Sequence, residues 1–392
     1  MYRECTLLFA KYKRKKRKKM KIRLLTLVAL CVVASVAMAQ TAADIASMRK
    51  DAEAGNIKAQ VALGNCLLSG KGVSANHAEA TKWFAKAAEK GNAEAQFNLA
   101  FCYENGYGVT KNLNEAVKWY TKAAEQGNVL AMNSLGHLYD AGGENFDKNY
   151  RKAVEWYRKA ADKGYAPAQF NLGSCYYLMK GVDQDYAEAR KWWEKAAAQG
   201  NNAAIYNLGY CYLKGDGVEK DPARAFGYFK RLADVGDARA LFEVGRMYSV
   251  GEGVTQDNLV AMDYFTKSAE KGFGPAQLAL GRYYDNGVFV DRDFEKAANW
   301  YLKAAEQGIA EAQYNIGHMY YNGMGVTKDL EEAAKWMDRA AQQGNVSAMT
   351  GLGICYYYGH GVKRDKNKGR EWINKAAILG DEYAKEVQQS LR

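Results

Sequence analysis

Residues 309–344 read IAEAQYNIGHMYYNGMGVTKDLEEAAKWMDRAAQQG, from Ile309 to Gly344, and most of the chain is this unit written again. Its closing Ala-Ala-x-x-Gly sets the register. The final glycine recurs at Gly55, Gly91, Gly127, Gly164, Gly200, Gly236, Gly272, Gly308, Gly344 and Gly380, with eight intervals of 36 residues and one of 37. A fixed period of this length is the mark of a solenoid, in which one unit cannot bury its own apolar face and must stack on its neighbours.

Within one period the apolar residues change spacing once. In residues 92–127, Ala95, Leu99, Cys102 and Tyr103 fall on one face of a helix, called helix A. Ala116, Trp119, Tyr120, Ala123 and Ala124 do the same for a second helix, helix B. The unit is an αα-hairpin. The loop between its helices carries Gly-x-Gly-Val in six units, such as Gly323 and Gly325. The first glycine suits a left-handed helix C-cap and the second a tight turn. A phosphate-binding loop would need a preceding strand and a third glycine, and neither is present.

Helix B opens on the column Asn76, Asn112, Asn149, Asp185, Asp221, Asp257, Asp293, Asp329 and Asp365, each a capping side chain. Four of these have a glutamate three residues on (Glu79, Glu115, Glu188, Glu332), which predicts a capping box. The tryptophans Trp83, Trp119, Trp156, Trp192, Trp193, Trp300, Trp336 and Trp372 read as the inner seam of helix B. Truncating one to alanine is then expected to cost ~3 to 5 kcal/mol. Cys66, Cys102, Cys175, Cys211 and Cys355 share one helix A position, filled elsewhere by Leu138, Met247, Tyr283 and Met319. Helices stacked ~8 to 10 Å apart hold such residues beyond disulfide reach, which predicts buried free thiols.

The chain carries 55 Lys+Arg against 44 Asp+Glu, but the excess is local. Ten of the eleven net positive charges lie in residues 1–39. The nearly neutral remainder argues against a nucleic-acid partner. A basic stretch opening at Met20, an apolar run from Leu24 to Ser35, and Ala37-Met38-Ala39 before Gln40 form the three parts of a secretory signal peptide. We expect translation from Met20, cleavage after Ala39, a periplasmic or secreted product, and no stable membrane anchor after cleavage. Leu30 before Cys31 departs from a lipobox, which argues against a lipoprotein. The expected domains are a leader over 1–39, an N-terminal capping helix over 40–55, nine repeats over 56–380, and a C-terminal capping helix over 381–392.

Leu-Gly-x-x-Tyr (Leu135 to Tyr139, Leu208 to Tyr212), Gly-x-Gly-Val, and Ala-x-x-Trp-Tyr-x-Lys-Ala-Ala-x-x-Gly (Ala116 to Gly127, Ala153 to Gly164, Ala297 to Gly308) recur in register. On these motifs residues 56–380 resemble the Sel-one-like repeat family, relatives of the tetratricopeptide repeats. The resemblance implies an all-α, right-handed α-α superhelical solenoid of about nine 36-residue helix-turn-helix repeats. It also implies a scaffold or adaptor that binds proteins or peptides in a groove lined by helices A. The cysteine-rich branch of that family pairs cysteines from both helices of a hairpin, whereas this chain has the one column.

Catalytic constellations are sparse. Ser268 to Lys271 is an S-x-x-K, without the S-D-N and K-T-G that accompany it in penicillin-recognising enzymes. His77, His137, His318 and His360 form no H-E-x-x-H, and no Cys/His cluster has zinc spacing, so no metal or cofactor is expected. His77 and His360 are expected to be solvated. Function is then sought where repeats differ in a fixed frame. The helix A residue after Leu-Gly and the one two before that Leu should face the groove. They include Phe97, Phe101, His137, Phe170, Tyr206, Tyr210, Phe242, Arg246, Arg282, Tyr314 and His318. Aromatics with arginine are the composition of protein-contact hot spots. Arg246 and Arg282 are hard to place in a core, where isolated charges are rarely buried unpaired, and are expected to hold an acidic or carboxylate-bearing segment of a partner by bidentate pairing. Two alternatives to a non-catalytic scaffold stand beside this reading. One is a hydrolase acting on β-lactam or cell-wall material through Ser268, and the other is a glycan-binding module using the groove aromatics.

Overall fold

A computed structural model describes residues 43–391. The leader, with Met20, Cys31 and the site after Ala39, lies outside the described residues. Helix α1 (43–53) is followed by hairpins in which helix A and helix B alternate. They are α2 (Ile57–Ser69) and α3 (His77–Glu89), α4 (Ala93–Asn105) and α5 (Leu113–Glu125), and α6 (Val129–Ala141) and α7 (Tyr150–Asp162). Next come α8 (Ala166–Tyr177) and α9 (Tyr186–Ala198), α10 (Asn202–Lys214) and α11 (Pro222–Asp234), and α12 (Ala238–Val250) and α13 (Asn258–Glu270). Last are α14 (Gly274–Asn286) and α15 (Phe294–Glu306), α16 (Ala310–Asn322) and α17 (Leu330–Gln342), α18 (Val346–Tyr358) and α19 (Lys366–Ile378), and then α20 (Glu382–Ser390). The architecture is an all-α repeat solenoid. It divides into two compact units, one ending at Asp185 and one from Tyr186 onward.

Each hairpin closes on local chemistry. The first glycine of Gly-x-Gly ends helix A in the left-handed conformation, as at Gly323 with φ 74°, where its amide donates to the Met319 carbonyl. Met179 takes that place in the fourth repeat at φ 55°, and Phe289 takes the second-glycine place in the seventh at φ 65°. The second glycine does more than turn the chain. A Cβ added at Gly325 would lie 2.1 Å from the carbonyl oxygen of Phe294, which opens helix B of the preceding repeat, so this glycine lets one repeat's loop touch the last repeat's backbone.

Helix B begins on the expected caps, with Asp329 Oδ1 accepting from the amides of Glu331 and Glu332. The capping box, however, does not close. The amide that the glutamate would need is taken by helix A, since Asp329 N donates to the Tyr320 carbonyl at 3.0 Å, as Asn76 N does to that of Leu67. The glutamates pair sideways instead, Glu332 with Lys335, Glu115 with Lys118 and Glu79 with Arg49. Asp329→Ala should therefore cost about 0.5 to 2 kcal/mol in a thermal melt. Glu332→Ala should change stability by roughly 0.5 kcal/mol or less, as an exposed ion-pair member does.

The tryptophan seam needs correcting. Trp83, Trp192 and Trp336 are buried, but Trp119, Trp156, Trp300 and Trp372 are half-buried, and a Lys or Arg three residues on covers their rings. The inner seam is the next column, Phe84, Tyr120, Tyr157, Phe229, Phe265 and Tyr301, to which Trp193 belongs. The glycine of Leu-Gly exists for these rings, because a Cβ at Gly281 would sit 2.4 Å from Tyr301. A polar ladder unread in the sequence joins the repeats: Gln313 Nε2 donates to the Ala305 carbonyl (3.1 Å) while its Oε1 accepts from Gln343 (2.7 Å).

All five cysteines among the described residues are free, four of them buried and Cys66 half-buried. Burial pushes the Cys175 thiol up to about 12 and those of Cys211 and Cys355 up to about 11. At pH 8 a thiol reagent should thus label Cys66 alone in the native protein and all five after denaturation. These raised values also set a sign. Unfolded thiols ionise from about pH 8.5, so their contribution to stability is complete below that and is lost as pH rises towards 11 to 12. Denaturant titration between pH 8 and pH 10 reads the decline.

Candidate functional site

The aromatic column of helix A is half-buried, and three of its rings rest on the inner seam of helix B. Phe97 lies 5.5 Å from Tyr120, Tyr206 lies 5.4 Å from Phe229, and Phe242 lies 5.5 Å from Phe265, centroid to centroid. Phe170 and Tyr314 are half-buried as well. These rings roof the core and still present an outer edge. In the neighbouring column Phe101 packs on Tyr107 at 5.8 Å, whereas His137, Arg282 and His318 are exposed.

The two arginines are not the free cations the sequence predicted. Arg246 Nε donates to Glu243 at 3.1 Å and a terminal nitrogen to Glu252 at 3.0 Å, while Arg282 pairs with Glu311. Stacking is the reason. A long side chain on one helix A reaches the first turn of the next, where Glu311 stands, or the loop that follows its own helix, where Glu252 stands. The ground for expecting an acidic partner at these positions is thereby removed.

Glu243 is the residue sequence reasoning missed. It is 7% exposed and accepts from the Tyr210 hydroxyl at 2.5 Å as well as from Arg246. Burial, with the Glu243 carboxylate next, raises the Tyr210 hydroxyl far above its ordinary range. Tyr206 completes the group, its ring 5.2 Å from Tyr210 and beneath the Arg239 guanidinium at 4.8 Å. A signal was available. The helix A position of Glu243 holds Asn98, Asn171, Asn207 and Asn315 in other repeats, so a lone carboxylate stands out. Asn98 and Asn171 there bond to Asn65 and Asn133 of the preceding helix A, at 2.9 and 3.0 Å.

Tyr314 and His318 come together at 6.2 Å and line a cavity of 480 Å³ bounded by α16, α18 and α20. Beside it His360 is held rather than solvated, since its Nδ1 is 2.7 Å from the Tyr321 hydroxyl and its ring stacks on Tyr358. Ser268 is fully buried and donates to the Ala238 carbonyl at 2.6 Å. That hydroxyl is a packing hydrogen bond with no access for a substrate. No helix among the described residues is long and apolar enough to cross a membrane, and no cluster of metal-ligating side chains occurs among them.

Stacked hairpins whose helices A carry a row of supported aromatics define an α-helical repeat solenoid with an open side-chain face. The chain belongs to the Sel1 repeat family, whose model matches nine times, over residues 57–92, 93–128, 129–165, 166–201, 202–237, 238–273, 274–309, 310–345 and 346–381. It is similar, at 32% identity, to a Sel1 repeat protein from Oxalobacter formigenes, over 79% of this chain and 89% of that one, with a TM-score of 0.66. It is likewise 32% identical to a protective antigen of uropathogenic Escherichia coli strains that displays an SLR fold, over 88% of this chain and 89% of that one, with a TM-score of 0.54. No curated protein matches the chain significantly. Proteins of Sel1 repeats are generally protein-interaction scaffolds.

Proposed function

We propose that this protein is an exported scaffold that gathers protein or peptide partners on the helix-A face of its repeats and performs no chemistry of its own. The observation that carries this is the support under the helix A aromatics. Tyr206 and Phe242 each stand on a fully packed ring of helix B, so they meet a partner already ordered and lose little side-chain freedom on binding. Rigid aromatic anchors of this kind supply most of the energy of protein contacts. Export rests on the three-part pattern of residues 20–39.

A photo-crosslinking residue placed at Phe101, Tyr206 or Phe242 should give discrete protein adducts in the native host. The same residue at Lys118 or Lys267, exposed on helix B, should give none. Equal adducts from both sets would sink the helix-A reading. N-terminal sequencing of the mature protein should begin at Gln40, and recovery of an intact leader from the cytoplasm would refute export.

A further inference from the structure

A cavity of 480 Å³ lies at the end of the second unit. Tyr314 and Tyr321 face it from α16 and Tyr383 from the start of α20, with Met337 and Ile354 as apolar wall. Among the described residues that line it, Asp381 is the one carboxylate, His318 is the one histidine, and none is a lysine or arginine. That carboxylate is fixed from two sides. Oδ2 accepts from the buried Thr350 hydroxyl at 2.7 Å, and Oδ1 accepts from the Ala384 amide at 3.2 Å. Both donors are neutral, and no lysine or arginine among the described lining residues pairs with the charge. Burial, followed by the Asp381 carboxylate and Tyr383, raises the Tyr314 hydroxyl above its ordinary value. Lys328 reaches the Tyr321 ring only at 5.9 Å, the outer limit of a cation–π contact, and does not line the cavity.

Three phenol rings around one fixed carboxylate are a cage for a cation on an apolar stem. The ring faces attract positive charge, the carboxylate fixes its head, and the apolar wall takes the methylenes. We propose that this cavity receives a lysine or arginine side chain of a partner protein, its stem against Met337 and Ile354 and its head at Asp381 among Tyr314, Tyr321 and Tyr383. This deepens the scaffold reading and rests on it. It also reverses the sign of the partner charge that the helix A arginines had suggested, because those arginines are neutralised within the chain.

The test uses the full mature chain and free blocked amino acids, the N-acetyl methylamides of lysine, arginine and norleucine, observed by ligand NMR. Lysine and arginine amides should bind saturably and weakly. The norleucine amide, which has a similar stem and no charge, should bind roughly tenfold more weakly. Asp381→Asn should lose about tenfold of the lysine affinity while keeping α20 capped, since asparagine caps helices as well as aspartate. Tyr383→Ala, at a side chain 59% exposed, tests the cage without touching the core and should also weaken lysine. Equal binding of norleucine and lysine, an unchanged Asp381→Asn, or no saturable binding by any amide overturns the proposal. Because the probes are free amides, their failure leaves the cross-linking result standing, and loss of cross-linking leaves amide binding readable.

Discussion

Gly361→Ala should detach the ninth repeat, with a loss of roughly 3 to 5 kcal/mol, the larger part of it not a turn effect. Gly361 has φ 69°, where an alanine already carries strain. The added Cβ would in addition stand 1.8 Å from the Leu330 carbonyl oxygen and 2.2 Å from its carbon, at the start of helix B in the repeat before. Neither is a flexible side-chain tip, so two repeats must separate for the methyl to fit. Gly344→Ala is the control. Its φ of 92° is equally left-handed, yet nothing lies within 4 Å of the added Cβ, and the cost should be about 1 kcal/mol. Solenoid stability is a sum of repeat and interface terms. Hydrogen exchange should therefore show α18 to α20 losing protection in Gly361→Ala while α10 and α11 keep theirs. Similar losses for the two variants would mean the interface contact is not what the glycine serves.

What the sequence made legible was whatever repeats in register and acts locally. Helix periods, the caps of helix B and the left-handed glycines after helix A follow from one period read alone, and the free thiols follow from one column compared across the periods. The second glycine was legible only as a turn, because the backbone it approaches belongs to the previous repeat. The same limit explains Arg282. Its partner Glu311 sits 29 residues on, in another repeat's first turn, and a column read down one position never pairs those two places. Of the candidate site, the aromatic positions were visible and their support was not. The cavity was half visible through Tyr314 and His318, while Asp381 and Tyr383 lay in the stretch read only as a polar cap.

Conspicuousness misled most at the tryptophans, and the error turns into a comparison of two substitutions. Trp300 and Tyr301, like Tyr228 and Phe229, are adjacent on helix B, about 100° apart around its axis, so periodicity alone ranks neither as the deeper. The buried column varies among Phe, Tyr, Trp, Met and Ile and so attracts no notice, although it is the one that fills the core. Phe229 is fully buried beneath Tyr206 and Tyr210, at 5.4 and 5.3 Å, with Gly209 so close that a Cβ there would be 2.7 Å from the ring. Phe229→Ala should cost about 3 to 5 kcal/mol by transfer and cavity terms together. Trp300 is half-buried under the Lys303 ammonium at 4.1 Å, and Trp300→Ala should cost about 1 to 2 kcal/mol, from partial burial and one exposed cation–π contact. Denaturant unfolding reads both, and a larger loss at Trp300 would restore the tryptophan column as the seam. The consequence extends to binding. Removing Phe229 takes the floor from under Tyr206 and Tyr210, so cross-linking at Tyr206 should fall in that variant even where the chain stays folded. Trp300→Ala touches no helix A aromatic of that group and should leave the Tyr206 adducts unchanged.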